Sequence, residues 1–205
     1  MPLRDSLLSS RAGYTLFRKV VRADRSMRTI VDEYVRPRAR QTVLDLGCGT
    51  GDLARMLAAD VTYIGVDHNP AYLNVDAMAT TLGGRHFVNA DLAELHSLTL
   101  PEVHIAVALG VLHHLPDEVV VRVLSSAAKL LGEEGRLVTI DPVFWPEQAA
   151  SARIMMAMDR GRFVRQAEHY SMLVSQVFPQ ATMTIRHDLN AFPYSHCIFE
   201  AGGSA

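Results

Sequence analysis

"VLDLGCGTGDLA" (residues 43–54) packs three glycines into five residues directly behind an apolar run. Glycine has no Cβ, so it reaches backbone angles closed to other residues and lets a neighbour come close. Two explanations fit such a cluster. Either the chain turns tightly between two elements here, or something sits against the bare backbone. The residues on either side decide between them.

The 205-residue chain is ample for one sizeable core, and 49% hydrophobic with 20% charged residues is the balance of a globular protein. Its net charge of −2 supplies no basic field for nucleic-acid phosphates, so no nucleic-acid partner is expected. Arginines gather near the two ends, among them Arg11, Arg18, Arg22, Arg25, Arg28, Arg153, Arg160, Arg162 and Arg165. They read as solvated helix faces, with a pocket for an anionic substrate as the minor alternative. Two cysteines, Cys48 and Cys197, make no disulfide framework and lack metal-ligand spacing, so no metal is expected. The first residues hold no apolar signal core, and no apolar run reaches the ~18 residues of a membrane span. A soluble cytoplasmic protein without a membrane partner is the expectation.

Outward from the glycines, short apolar runs alternate with helical patterns. "TVLDL" (42–46), "VTYIGVD" (61–67), "RHFVNAD" (85–91), "VHIAVALG" (103–110) and "GRLVTID" (135–141) read as strands. Between them, "GDLARMLAA" (51–59), "AYLNVDAMATTL" (71–82) and "PDEVVVRVLSSAAKLL" (116–131) have helical spacing, the last ending at Gly132. Near-continuous apolar strands separated by helices imply a parallel sheet covered on both faces, a doubly wound α/β fold. Such sheets bind ligands at the carboxyl ends of their strands. Those ends carry Asp45, Asp67, Asp91, Gly110 and Asp141, so four carboxylates line one rim.

Beyond residue 142 the pattern changes. Two helical stretches (150–164 and 166–178) precede "ATMTIRHDL" (181–189) and "YSHCIFEA" (194–201), which suit an antiparallel addition at a sheet edge. Ahead of the first strand, residues 11–36 read as helix, free to cover the ligand rim. The expected organisation is one domain: a helical lid over 1–40, a ligand-binding core over 41–141, and further helices with two last strands over 142–205.

A glycine loop opening a helix brings backbone N–H groups to a ligand, as in phosphate sites. The dinucleotide fingerprint G-x-G-x-x-G does not fit, because these glycines run G-x-G-x-G. No Lys-Ser or Lys-Thr pair follows for a nucleoside triphosphate. Asp45, two residues ahead of the first glycine, would repel a pyrophosphate and favour a cationic ligand. A nicotinamide oxidoreductase is therefore disfavoured.

With "VLDLGCGTG", "YIGVD", "NAD" and "ALGVLHHLP" following four strands in order, residues 40–141 resemble class I S-adenosylmethionine-dependent methyltransferases. The resemblance implies a seven-stranded Rossmann-like sheet in order 3-2-1-4-5-7-6 with its last strand antiparallel. It implies S-adenosyl-L-methionine as cofactor, with Gly47, Cys48, Gly49 and Gly51 along the methionyl part and Asp45 helping to hold its ammonium. Asp67 would bind the ribose hydroxyls, with His68 over the adenine, Asp91 at the adenine amino group and Leu92 offering its backbone. Ala108, Leu109 and Gly110 would pass beside the sulfonium.

An activated methyl needs little beyond alignment of a nucleophile, but a hydroxyl acceptor must also lose its proton. "VLHHLPDE" offers His113 as a base facing the cleft, whereas His114 is expected to pack or cap the following helix. Asp141, on the neighbouring strand, either orients His113 or serves the turn before Pro142. The pair is similar to the base arrangement of sugar O-methyltransferases of this class. His187, His196, Tyr14, Tyr170 and Tyr194 read as core or surface, Met155, Met172 and Met183 as gap-filling apolar surface, and Trp145 as a buried anchor or a stacking wall. A looser likeness to a bacterial subgroup among polysaccharide biosynthesis proteins favours a small hydroxyl acceptor. Three other readings stand: transfer to carbon or nitrogen of a quinone or amine, a macromolecular acceptor, and cofactor binding without catalysis. A monomer or a homodimer is expected.

Overall fold

The computed structural model describes residues 23–70, 72–73, 85–148, 153, 162–189 and 194–202. Most of the expected helices over 71–82 and 150–164, residues 11–22 and the candidates Tyr14 and Met155 lie outside them.

Seven strands form one path: β1 (Thr42–Leu46), β2 (Thr62–Asp67), β3 (His86–Asn89), β4 (Val103–Leu109), β5 (Leu131–Phe144), β7 (Thr182–Arg186) and β8 (His196–Gly202). Their order is β3-β2-β1-β4-β5-β8-β7, and the two-residue β6 (Arg165–Gln166) pairs with β5 off the path. All pairings are parallel except those of β8 with β5 and β7. With β6 set aside, this is the expected 3-2-1-4-5-7-6 sheet, a Rossmann-like methyltransferase fold.

Side chains alternate between two cores, as the period of a strand requires. Leu44, Leu46, Ile64, Val66, Ala106 and Leu137 face α2 (Asp117–Leu130) and α3 (Ala167–Ser175). Val43, Tyr63, Ile105, Val107, Val138 and Ile140 face the other way, against Val31, Tyr34, Leu53 and Leu57. Helix α2 buries Val120, Val123, Leu124 and Ala127, the spacing of one helical stripe, with Asp117 and Glu118 in its first turn and Lys129 in its last.

Three local expectations need correction. Residues 51–59 form successive turns rather than a helix, closed by Gly51 N–H to Cys48 O (2.9 Å) and Met56 N–H to Leu53 O (2.9 Å). Leu53 and Leu57 are buried as the pattern requires. However, Asp52 accepts from Thr50 Oγ1 (3.0 Å) and from Arg55 (2.6 Å), local bonds that compete with helix. Buried Arg85 then donates to the carbonyls of Leu57, Ala58 and Val61. Second, α2 does not end on glycine. Leu131 is already extended and paired with Val103, and a Cβ on Gly132 would collide with the Glu102 carboxylate. Third, β5 runs on to Phe144, so Asp141 lies within the strand rather than at its end.

The N-terminal segment enters as α1 (Ala23–Ile30) and continues as a π-type turn (Val31–Val35), closed by Arg36 N–H to Val31 O at 2.8 Å. It runs along the second sheet face. Ser26 donates to the Leu189 carbonyl near one end, and Arg136 donates to the Tyr34 and Val35 carbonyls at the other. Residues 23–35 are thus core wall, and the cover expected over the strand ends concerns residues outside those described.

Candidate functional site

The glycine loop answers its own question in two parts. Gly47, Gly49 and Gly51 have φ of +72°, +51° and +71°, a region that L side chains rarely enter. At Gly47 a Cβ would also stand 2.7 Å from Val111 Cγ2, so turn and packing both demand glycine. Around Gly49 nothing lies within 4 Å of the missing Cβ, and the backbone there is open.

The loop's N–H groups bond inward. Gly47 and Cys48 both donate to Val66 O (2.7 and 3.1 Å), Gly51 donates to Cys48 O, and Gly49 donates to Asp67 Oδ2 at 2.9 Å. A phosphate-binding loop aims these donors at its ligand. This one exposes backbone without offering them, so it does not suit a pyrophosphate.

Two carboxylates flank the loop. Asp67 is 8% exposed and closes β2, with Oδ2 on Gly49 N–H and Oδ1 accepting from Asn69 N–H at 2.8 Å. Each oxygen keeps acceptor capacity, which matches a vicinal diol. His68 is exposed, its Nδ1 3.9 Å from Asp67 Oδ1. Asp45, on β1, is 3% exposed. Burial pushes its carboxyl up to about 7, and the nearby Asp52 and Asp67 charges add to the rise against the Tyr63 hydrogen bond. A buried acid in this state gains strongly from an arriving cation. Open backbone at Gly49 between two buried carboxylates, one with free acceptor capacity and one that a cation would favour in its charged form, is compatible with S-adenosylmethionine.

The other rim positions divide. Asp91 caps the 3-10 turn Leu92–Ser97 through Ala93 N–H (2.9 Å), while Leu92 packs into the core. Leu109 is half-buried at the end of β4, and Gly110 (φ +66°) donates to Ile140 O at 2.7 Å.

His113 and Asp141 meet. Asp141 Oδ1 accepts from His113 N–H (3.1 Å) and lies 2.9 Å from ring Nδ1, with both side chains buried. A carboxylate here selects the Nδ1–H tautomer and leaves the lone pair on Nε2. Asp141 Oδ2 is buried without a hydrogen-bond partner among the described residues. The ring lies beside Gly110, where a Cβ would be 3.6 Å from His113 Cε1. His114 is exposed, its ring tilted against that of His113 with centroids 4.0 Å apart, and Pro116 rather than His114 precedes α2.

Arg165 is not a solvated arginine. It is 5% exposed and donates to the Leu112 and Leu115 carbonyls on either side of His113, and to Asp117 at 2.6 Å. Phe163 N–H adds a bond to His113 O (2.9 Å), so the histidine turn is clamped from both ends. Tyr170 is buried and donates to Pro142 O (3.2 Å), a structural bond. His187 pairs with Ser195 Oγ (2.9 Å) beside Trp145, and burial pushes His196 down to about 4.

Sequence reasoning missed Tyr63 and Arg165. Tyr63 had a signal in the alternation "YIGVD", which puts Tyr63 and Gly65 on one face beside Asp45. For Arg165 we find none.

The family described as "Methyltransferase domain" matches residues 44–137. An uncharacterised methyltransferase of Bacillus licheniformis is 31% identical over 140 residues, covering 68% of this chain and 64% of that protein. The chain thus spans just under two thirds of that relative's length. Among solved structures, the pyocyanin biosynthetic protein PhzM superposes with a TM-score of 0.72 at 13% identity, over 94% of this chain and 58% of its own. The mitomycin 7-O-methyltransferase MmcR gives 0.68 at 17%, over 88% and 54%. At such identities the structural likeness carries the fold. The methyltransferase-domain match over residues 44–137 and the 31% identical relative make this chain similar to class I S-adenosylmethionine-dependent methyltransferases.

Proposed function

We propose that the chain transfers the methyl group of S-adenosylmethionine to a hydroxyl oxygen of a small molecule, with His113 as the base. The observation that carries this reading is the buried His113–Asp141 pair beside Gly110. Bound at the glycine loop, the cofactor supplies a methyl already activated by its sulfonium. The residues of the chain do the rest. Asp67 and Asp45 would hold the ribose and ammonium ends, and His113 Nε2 would take the acceptor's proton as its oxygen gains the methyl and the S–CH3 bond breaks, leaving S-adenosylhomocysteine. Asp141 holds the ring and stabilises its charged form, as the carboxylate of a catalytic triad does. The fold is shared with a mitomycin 7-O-methyltransferase, named for an oxygen acceptor.

Two experiments test the reading. Calorimetric titration with S-adenosylhomocysteine is expected to give micromolar binding, with none for NADH. Asp67→Ala is expected to weaken that binding about 10- to 100-fold, because two hydrogen bonds to an ionised acceptor go and Gly49 loses its anchor. Unchanged affinity would remove Asp67 from the ribose site. Transfer of labelled methyl to a panel of sugar nucleotides, phenols, quinones and amines then identifies the acceptor class. Incorporation only at amines or carbon would replace the oxygen reading, and tight binding with no transfer would favour a non-catalytic role.

A further inference from the structure

Asp45 faces a glycine across the sheet. In the parallel register of β1 and β2, Asp45 pairs with Gly65 and Val43 pairs with Tyr63. Tyr63 therefore sits two residues earlier on the same face. With no side chain at Gly65 in its way, its ring lies up the strand until the hydroxyl reaches Asp45 Oδ2, 2.7 Å away. The path is tight. A Cβ on Gly65 would stand 2.8 Å from the Tyr63 hydroxyl and 2.7 Å from Cys48 Sγ. On the far side Phe87, the partner of Gly65 on β3, packs against the Tyr63 ring at 5.5 Å. A fully buried tyrosine is thus walled in on three sides with its one polar atom on one Asp45 oxygen and against the Cys48 thiol.

We infer that Tyr63 is a positioning residue of the cofactor site, holding Asp45 so that its other oxygen receives the ammonium of the bound cofactor. The inference rests on the reading that Asp45 meets that ammonium. The charged and titratable groups around Asp45 are few: Tyr63 from β2, Cys48 from the glycine loop, Asp52 from the turns after it, and Asp67 from the end of β2. Both aspartates disfavour a charged Asp45, and so does burial. Among these neighbours the Tyr63 hydroxyl is the one that favours the carboxylate. Without its proton, Asp45 would stay neutral to higher pH and meet an ammonium poorly.

The test is calorimetric titration with S-adenosylhomocysteine between pH 6 and 8.5 for the wild type, Tyr63→Phe and Asp45→Asn. For the wild type, affinity is expected to fall as pH drops below about 7. Tyr63→Phe keeps the ring packing and is expected to displace that fall upward by about one pH unit. Its binding is then about five- to tenfold weaker at pH 7 and within about twofold at pH 8.5. A profile superimposed on the wild type, or a loss equal at every pH, overturns the positioning role. Asp45→Asn separates the two readings. If it binds as the wild type does, the ammonium assignment fails, whatever Tyr63 does. If it binds weakly with no pH step while Tyr63→Phe stays unmoved, the failure belongs to Tyr63 alone. Should Tyr63→Phe not fold, replacing all six tyrosines by 3-fluorotyrosine strengthens the donor and keeps the contact. The step is then expected to move to lower pH, and an unmoved step overturns the role.

Discussion

Alanine at His113 is expected to leave S-adenosylhomocysteine affinity within about twofold while methyl transfer to a hydroxyl acceptor falls about 10²- to 10⁴-fold. The two readouts are expected to separate because the imidazole bonds Asp141, while Asp67 bonds Gly49 and Asn69 and Asp45 bonds Tyr63. Removing it deletes the base without touching the groups that hold the cofactor. The turn survives because its clamp does not use the imidazole: the Arg165 guanidinium donates to the Leu112 and Leu115 carbonyls, and Phe163 N–H donates to His113 O. Asp141→Asn makes the complementary point. An amide no longer favours Nδ1–H, so the lone pair is displaced from Nε2 and turnover drops with the cofactor site intact. Single-turnover rates beside calorimetry measure both. Near-full activity in His113→Ala would mean that the acceptor has no proton to surrender, which points to carbon or a neutral amine.

Asp45→Asn is expected to raise stability and destroy binding at once. In the unfolded chain this carboxyl ionises near 3.8, but in the fold burial holds it neutral up to about 7. The stabilisation of the protonated form is therefore complete below about 3.8 and lost as pH rises through about 7. Above that, the empty fold carries a buried carboxylate at a cost of about 2–4 kcal/mol. Asparagine keeps the shape and can still accept from Tyr63, but bears no charge. Its melting temperature is expected to exceed that of the wild type by about 5 °C or more at pH 8, with the gain shrinking toward pH 5. Binding of S-adenosylhomocysteine should weaken about 10²-fold or more, because a desolvated ammonium loses its counter-charge. Thermal melts across pH 5–8, with and without ligand, check both halves. A variant no more stable than the wild type at pH 8 would show that Asp45 is ionised without strain in the empty protein.

The sheet was legible because its information is local. Five consecutive buried residues in "TVLDL" and the glycines behind them name a central parallel strand and its turn. The His113–Asp141 pair was legible at one remove, since β4 and β5 are neighbours and both residues fall near the carboxyl side. Residues 51–59 misled because Leu53 and Leu57 reach the core equally well from a helix or from successive turns. What tipped the balance was side-chain bonding by Asp52 and the tertiary reach of Arg85. Arg165 was illegible for a related reason. A string of letters shows a charge, but not that carbonyls at 112, 115 and 163 and the Asp117 carboxylate await its guanidinium.

The inward bonding of the glycine loop has a consequence for the catalytic cycle. The N–H groups of Gly47, Cys48, Gly49 and Gly51 are satisfied by Val66, Cys48 and Asp67 before any ligand arrives. Docking therefore bears little of the entropic cost of ordering a loop. On the proposed function, product and fresh cofactor would exchange over that same loop surface. Discrimination between the two must then come from the one place where they differ, the charged sulfur. On the reading proposed here, that contest is decided along Leu109 and Gly110, beside His113, rather than at the loop.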